Sequence, residues 1–139
     1  MARQLLARLL FASLFAFVLV ACDSSDPEEP APDPPAAPPS FSVSSQTITL
    51  QDNSDGIIFF VSPSEDVVLV RVEITNPRQQ NLTFNAGSST VVRNESFALQ
   101  DAGIGYVRFS GDWTFEFVGR RAAGDQESFN VTVTVNVGA

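Results

Sequence analysis

One short acidic stretch has the residue types that a calcium site needs. Asp52-Asn53-Ser54-Asp55-Gly56 offers several side-chain oxygens, and its glycine permits a sharp turn. Calcium takes six to eight oxygen ligands, often from closely spaced Asp and Asn residues. The spacing differs from that of an EF-hand loop, and the same residue types are typical of a hairpin turn. The sequence favours the turn and leaves Asp52, Asn53 and Asp55 as a candidate calcium site.

Two aromatic residues belong to the types that stack on sugar rings. Trp113 and Tyr106 are the sole tryptophan and tyrosine of the chain. Carbohydrate-binding modules use such rings as exposed platforms. Trp113 also shares its strand parity with Phe115 and Phe117, as a core residue does. The core interpretation is favoured, and a glycan site at Trp113 and Tyr106 is the alternative.

The amino-acid composition excludes most of the common catalytic mechanisms. The chain has no histidine and no lysine, so it lacks an imidazole base, a Ser-His pair and a Schiff-base lysine. Carboxylate pairs such as Asp112 and Glu116 remain, but a glycosidase pair needs a cleft, which so small a domain seldom forms. Ser64-Glu65-Asp66 and Asp101 would complete the calcium site if the loops meet at one end of the domain. We expect no enzymatic activity and no cofactor other than this candidate calcium.

The lone cysteine lies at the end of an apolar segment. Cys22 follows Leu19-Val20-Ala21, and the apolar residues begin after Arg8. The apolar segment from Leu9 to Ala21 is shorter than the ~20 residues that a helix needs to span a membrane. A positive start followed by a short apolar stretch is typical of a secretory signal.

This segment resembles the signal peptide of a bacterial lipoprotein, with Leu19, Val20 and Ala21 as its lipobox. The resemblance implies that a helical signal peptide over residues 1–21 is removed and that the Cys22 sulfur carries a diacylglycerol. Bacterial lipoproteins usually carry three acyl chains. Each buried CH₂ contributes about 0.8 kcal/mol, so such an anchor would be permanent. An ordinary signal peptide or an uncleaved anchor is the alternative.

Residues 22–40 are predicted to form a disordered tether. They hold seven of the nine prolines and five acidic residues, with no positive charge, a composition that cannot bury a core. Asp23 resembles the signal that keeps some enterobacterial lipoproteins in the inner membrane. Ser24 to Glu29 resembles the surface-export signal of Bacteroidetes-type lipoproteins, and the acids could also simply solvate the tether. We favour the outer membrane or the cell surface over the inner membrane.

The negative net charge limits the classes of molecule that the protein is expected to bind. Without Arg3 and Arg8, six positive and sixteen negative side chains remain, which is a net charge of −10. Nucleic-acid binding requires a basic surface, so we expect no nucleic-acid partner. The expected partners are the membrane, through the lipid on Cys22, and another protein of the cell envelope.

Residues 41–139 are predicted to form one all-β domain. Short apolar runs alternate with turn residues, and no helical periodicity stands out. Seven to nine antiparallel strands at this spacing predict a single β-sandwich, and a barrel or jelly roll is the alternative. The pattern resembles the immunoglobulin-like and PKD-like domains of bacterial surface proteins. The disulfide of antibody domains is missing, because Cys22 lies outside the domain.

The strand patterns also make local predictions. Two strands should bury every second residue: Val68, Val70, Val72 and Ile74 in one, and Val131, Val133, Val135 and Val137 in the last. Phe41 to Leu50 changes parity near Ser44 to Gln46, which predicts a bulge or a change of sheet. Turns are predicted at Asn76 to Arg78, at Asn85 to Gly87, in a tight hairpin at Ser110 to Asp112, and in a longer hairpin loop at Arg120 to Gln126.

Overall fold

The computed structural model describes residues 34–100 and 104–139, which fold into eight strands and contain no helix. Residues Ala36–Ala139 make up one compact unit. The strands, in chain order, are β1 (Phe41–Thr49), β2 (Asp55–Pro63), β3 (Val67–Thr75), β4 (Asn81–Val91), β5 (Phe97–Ala98), β6 (Tyr106–Val107), β7 (Gly111–Arg121) and β8 (Ser128–Val137). No helix in this part of the chain is long and apolar enough to cross a membrane.

Two antiparallel sheets form the two layers of the fold. In the first sheet, β2 lies between β1 and the two short strands β5 and β6. In the second sheet, the order is β4-β3-β7-β8. Buried residues from both sheets pack into one shared core, which is the arrangement of a β-sandwich. The prediction of an all-β sandwich is confirmed.

The core is aromatic at its centre. The ring centroid of Phe59 on β2 lies 4.9 Å from that of Trp113 and 4.8 Å from that of Phe115 on β7. At the start of β1, Phe41 stacks on Phe117 with centroids 4.1 Å apart. Such ring pairs contribute energy beyond the burial of their area, and they join the first sheet to the second.

Strands β7 and β8 follow the predicted alternation. Trp113, Phe115 and Phe117 are all fully buried. Val137 of β8 is buried as well. The other inward valines of β8 are half-buried and pack against the core: Val131, Val133 and Val135. They keep exposed surface because β8 lies at the edge of its sheet.

The first half of β3 departs from the predicted alternation. Val70 is 40% exposed, whereas Val67 and Leu69 are fully buried in the core. The register with both neighbouring strands shifts between Leu69 and Arg71, where β3 has one residue more than β7. A bulge reverses which residues point inward. The alternation holds from Val72 onward, and the prediction that Val70 points inward is wrong.

The turn predicted at Asn85 to Gly87 lies inside one long strand. Strand β4 runs without interruption through Asn81–Val91. Gly87 and Ser88 adopt left-handed backbone angles, with φ of 63° and 60°. The three residues from Ala86 to Ser88 lie opposite a single residue of β3. These turn-forming residues therefore make a bulge, and the prediction of a chain reversal is wrong.

The chain crosses between the sheets at Ser110 to Asp112. Gly111 and Asp112 already belong to β7 of the second sheet, whereas β6 pairs with β2 of the first. Gly111 has a φ of 125°, which favours glycine. The prediction of a tight hairpin at this point is wrong, because the two flanking strands lie in different sheets.

Strand β1 stays regular through its change of sequence pattern. It pairs with β2 residue for residue over Phe41–Thr49, so the predicted bulge or change of sheet is wrong. Ile48 pairs with Gly56, and its side chain also reaches Gly105, where an added Cβ would lie 2.5 Å from Ile48 Cδ1. Because glycine has no side chain, Gly56 and Gly105 leave room for Ile48. This accounts for an apolar side chain on the face of β1 opposite to that of Phe41 and Val43.

The loops after β3 and β7 contain turns where the sequence predicts them. The buried Asn76 accepts hydrogen bonds at Oδ1 from the N–H groups of Arg78 and Gln80, at 2.9 and 3.0 Å. The Arg121 N–H donates to the Glu127 carbonyl at 3.0 Å and closes the hairpin between β7 and β8.

The predicted signal peptide, the lipobox and Cys22 lie outside the described residues, as does the tether up to residue 33. The described part before β1 forms no strand, but it contacts the sandwich. Arg121 Nη2 donates to the Ala37 carbonyl. The Ser40 N–H donates to the Ser64 hydroxyl at 3.0 Å. The compact unit thus includes residues just before the first strand.

Candidate functional site

The candidate calcium loop is the turn between β1 and β2. Asp52 Oδ1 accepts hydrogen bonds from the Ser54 N–H at 3.0 Å and from the Ser54 hydroxyl at 2.6 Å. Asn53 has a left-handed backbone with φ of 60°, and the Leu50 N–H donates to the Ser54 carbonyl at 2.9 Å. Side chains that bond their own backbone in this way are typical of Asx turns. The geometry supports the turn interpretation of the stretch from Asp52 to Asp55.

The other acidic residues considered for this site do not join Asp52. Glu65 and Asp66 follow β2, whereas Asp52 precedes it, and a nine-residue strand is roughly 30 Å long. The hypothesis that Ser64 to Asp66 complete a calcium site is therefore wrong, and Asp101 lies outside the described residues. Within that described part, no three His, Cys, Asp or Glu side chains form a metal-ligand group.

Hydrogen bonds from Ser54 hold the pKa of the exposed Asp52 carboxyl below its usual value of 3.8, and the Ser54 hydroxyl has the largest effect. We expect Ser54→Ala to raise the pKa of Asp52 toward that usual value, because alanine keeps the backbone donor and removes the hydroxyl. Carbon-13 NMR titration of the Asp52 carboxyl measures the change. Ser44→Ala, at an exposed position of β1, is the matched control.

The sign of the linked effect on stability follows from the lowered pKa. A carboxyl group whose pKa is lower in the folded state stabilises the fold above its unfolded pKa, and this contribution disappears as pH falls through the folded pKa. Ser54→Ala should therefore cost more stability at neutral pH than in acid. An Asp52 pKa that does not respond to Ser54→Ala would show that the hydroxyl is not the cause.

Trp113 lies in the core and not on the surface. Its side chain is fully buried, and its Nε1 donates to the Phe109 carbonyl at 3.0 Å. Its ring centroid lies 4.9 Å from that of Phe59 and 6.2 Å from that of Tyr106. Tyr106 is half-buried, and its hydroxyl donates to the Leu99 carbonyl at 2.8 Å. The structure brings the two candidate residues together as core packing, with no ring face of Trp113 open to a sugar.

The two carboxylates of β7 bond to separate amides on β8. Glu116 Oε1 accepts a hydrogen bond from Asn130 Nδ2 at 2.6 Å, and Asp112 Oδ1 accepts one from Asn136 Nδ2 at 2.7 Å. Four residues along a strand separate their Cα atoms by about 13 Å. Glu116 bonds to Asn130, which lies opposite Val118, so its carboxylate leans away from Asp112. Glycosidase carboxyl pairs lie ~5–9.5 Å apart, so these two acids do not have that arrangement.

Three long strands at the edges of the described sheets carry no charged side chain: β1, β4 and β8. Natural edge strands usually carry charges, prolines or bulges that prevent pairing with another chain. Strand β4 has the bulge at Gly87 and Ser88. Strand β8 has none, because it pairs with β7 without a shift from Ser128 to Val137. It therefore presents a regular, uncharged edge.

Sequence reasoning identified β8 as a strand but missed this edge as a surface. The signal was present, since residues 128–139 contain no charged side chain. The lack of charge indicates an open pairing surface only if the strand lies at the edge of its sheet, and the sequence does not show which strands pair.

No family model matches the chain, and no curated protein and no solved structure match it either.

Proposed function

We propose that this chain is a lipid-anchored protein of the bacterial cell envelope that presents its β-sandwich to another protein and has no enzymatic activity. The observation that carries the proposal is the position of Cys22, the lone cysteine, directly after Leu19-Val20-Ala21. A thiol anywhere else in the chain would not complete a lipobox. Fatty acylation at this position would attach the mature amino terminus to a membrane.

The order of the segments supports display of the folded unit. Proline-rich and acidic residues separate Cys22 from the compact unit that begins at Ala36. Proline-rich chains are extended and semi-rigid, and anionic lipid headgroups repel acidic side chains. We propose the outer membrane or the cell surface as its location, on the likeness of Ser24 to Glu29 to a surface-export signal. Retention in the inner membrane through Asp23 is the alternative.

The surface of the sandwich supports binding of a protein over binding of a glycan. Trp113, the side chain best suited to stack on a sugar, is buried. A regular and uncharged strand edge is instead a surface to which a strand of another polypeptide, a second copy of this chain included, can add. The proposed function is therefore that of a tethered interaction domain.

Mass spectrometry of the protein purified from its native membrane tests the anchor. We expect a mature chain that begins at Cys22 and carries fatty acyl groups. Cys22→Ser should lose the acyl mass and the cleavage before residue 22, because serine has no thiol to modify. A matched variant that combines Cys22→Ser with Ser24→Cys keeps one thiol but moves it by two residues, and it should stay unmodified.

Two results would contradict the anchor. One is an unmodified Cys22 thiol in protein taken from the native membrane, and the other is an intact leader on that protein. Acylation of the displaced cysteine would show that the modification does not depend on the lipobox.

A further inference from the structure

Strand β8 leaves half of its backbone hydrogen-bonding groups at the open edge of its sheet. The Arg121 N–H bonds to the Glu127 carbonyl, and the same register continues along β7 and β8. In an antiparallel pair, residues that bond to the neighbouring strand alternate with residues that do not. Odd-numbered residues of β8 therefore bond to β7. The N–H and C=O groups of the even-numbered residues face the open edge, where no described strand pairs: Ser128, Asn130, Thr132, Thr134 and Asn136.

The residues along this edge form a palindrome. Asn130-Val131-Thr132-Val133-Thr134-Val135-Asn136 reads the same in both directions about Val133. If two copies paired antiparallel about Val133, Thr132 would face Thr134 of the second copy and Asn130 would face its Asn136. Two-fold symmetry of this kind is the commonest symmetry of homodimers. The edge is thus complementary to itself.

We propose that two copies of this chain associate by antiparallel pairing of their β8 strands about a two-fold axis at Val133. The register agrees with the backbone geometry. The even-numbered residues become the hydrogen-bonded pairs, and Val133, whose backbone bonds to β7, faces its own copy in a non-hydrogen-bonded pair. The β4-β3-β7-β8 sheet of one copy then joins the same sheet of the other copy into one continuous sheet. This pairing belongs to the folded unit and does not depend on acylation of Cys22.

Both faces of the new strand pair are chemically matched. On the inner face, the half-buried valines of the two copies lie beside one another and remove apolar surface from water. On the outer face, threonine faces threonine and asparagine faces asparagine. The amides of Asn130 and Asn136 are already oriented, because each donates to a carboxylate of β7. No like charges oppose one another across the pair, although the protein is acidic overall.

The other uncharged edges lack these features. Strand β4 is continuous but irregular, because it contains the bulge from Ala86 to Ser88. Strand β1 is regular, but Ser45 and Thr47, at the inward parity, are polar and exposed. Before β1, Pro39 lines a cleft together with Ser128 to Asn130. On β8 this cleft ends at Asn130, so the centre of the palindrome lies outside it.

Disulfide trapping tests this register and captures even a weak pair. Cys22→Ser gives the full-length protein without any thiol, and single cysteines are then introduced into it in detergent solution. Opposed residues have Cα atoms ~4.5 Å apart in a non-hydrogen-bonded pair and ~5.5 Å apart in a hydrogen-bonded pair, both within disulfide range. Two copies of residue 132 would lie on the order of 8 Å apart, beyond the ~7 Å limit.

We expect Val133→Cys to form a disulfide-linked dimer. Thr132→Cys and Thr134→Cys should each stay monomeric alone, and a mixture of the two, carrying different tags, should form a mixed dimer. The mixture keeps the test valid if the change at the half-buried Val133 disturbs folding. Equal cross-linking by every single variant would overturn the proposal. So would a failure of both Val133→Cys and the mixture to cross-link.

A pair of charge variants tests the same contacts with the thiol kept at one position, residue 133. In the Val133→Cys protein, the double change Thr132→Lys and Thr134→Lys places like charges opposite each other, and we expect the dimer yield to fall several-fold. The matched double change Thr132→Lys and Thr134→Glu places opposite charges in the same pairs and should restore the yield. Equal yields from the two double variants would overturn the proposed register.

Discussion

Replacing Trp113 with alanine is expected to lower the free energy of unfolding of the sandwich by about 3–5 kcal/mol. The side chain is fully buried between the sheets, where its ring meets Phe59 of the first sheet and Phe109 of the segment that leads into β7. The change removes the largest fully buried side chain of the described core. It also leaves the Phe109 carbonyl without its Nε1 donor, which adds the cost of a lost hydrogen bond.

The size of this loss matters because the domain has little stability to spare. Domains of this size typically unfold at a cost of about 5–15 kcal/mol, and the single cysteine of the chain cannot form an internal disulfide. The melting temperature of Trp113→Ala should fall on the order of 20 °C. Far-ultraviolet circular dichroism is the suitable probe, because the variant loses the only tryptophan.

Trp113→Phe is the matched control for that experiment. It keeps an aromatic ring in the core and removes the Nε1 donor, so its loss of stability should be clearly smaller than that of alanine. If the free energy of unfolding of Trp113→Ala lay within about 0.5 kcal/mol of that of the unchanged protein, which is the usual range for surface substitutions, the ring could not be part of the core. That result would also reopen Trp113 as a surface residue.

The parity of the later strands could be predicted because their patterns are regular. Trp113, Phe115 and Phe117 alternate with small or polar residues, and the structure buries all three. The valines of β8 alternate with threonine and asparagine, and the structure orients them toward the core. In these two strands, two-residue periodicity is sufficient to assign the inward and outward faces.

Apart from β1, which stays regular through its change of sequence pattern, the failed strand predictions lie where a strand contains a bulge or where a turn-like segment changes sheet. Val70 belongs to an unbroken apolar run, so nothing in the local composition marks it as the extra residue of β3. Gly87 and Ser88 have turn chemistry, but the chain uses their left-handed angles within β4. Likewise Gly111 looks like a hairpin residue and instead starts β7 in the other sheet. Bulges and crossovers are set by long-range pairing, which a local pattern does not contain.

One candidate site could be predicted from its local residues, and the other depends on long-range strand pairing. The Asp52 turn was recognisable from its residue types, because Asp, Asn, Ser and Gly act through local hydrogen bonds. The palindrome at Asn130 to Asn136 is likewise visible in the amino-acid sequence. Its meaning could not be inferred from the sequence, because only the pairing with β7 determines which backbone groups reach the open edge.

Gly119 marks a place where two strands and an aromatic ring converge. It is buried and pairs with Leu69, next to the bulge of β3, and with Phe129 of β8. A Cβ at this position would lie 2.5 Å from the Val68 carbonyl oxygen and 2.8 Å from Phe129 Cζ. The first of these contacts is with backbone of a central strand, which cannot move without shifting the register on both sides.

Gly119→Ala is therefore expected to destabilise the domain by about 3 kcal/mol, at the upper end of the usual cost of overpacking. Urea unfolding followed by Trp113 fluorescence measures the change, since the tryptophan is retained. Gly138→Ala is the matched control, because nothing lies within 4 Å of an added Cβ there, and its stability should stay within about 0.5 kcal/mol of the unchanged protein. Equal stability of the two variants would show that β3 and β7 do not approach each other at Gly119. The bulge that reverses the parity of β3 would then have to lie elsewhere.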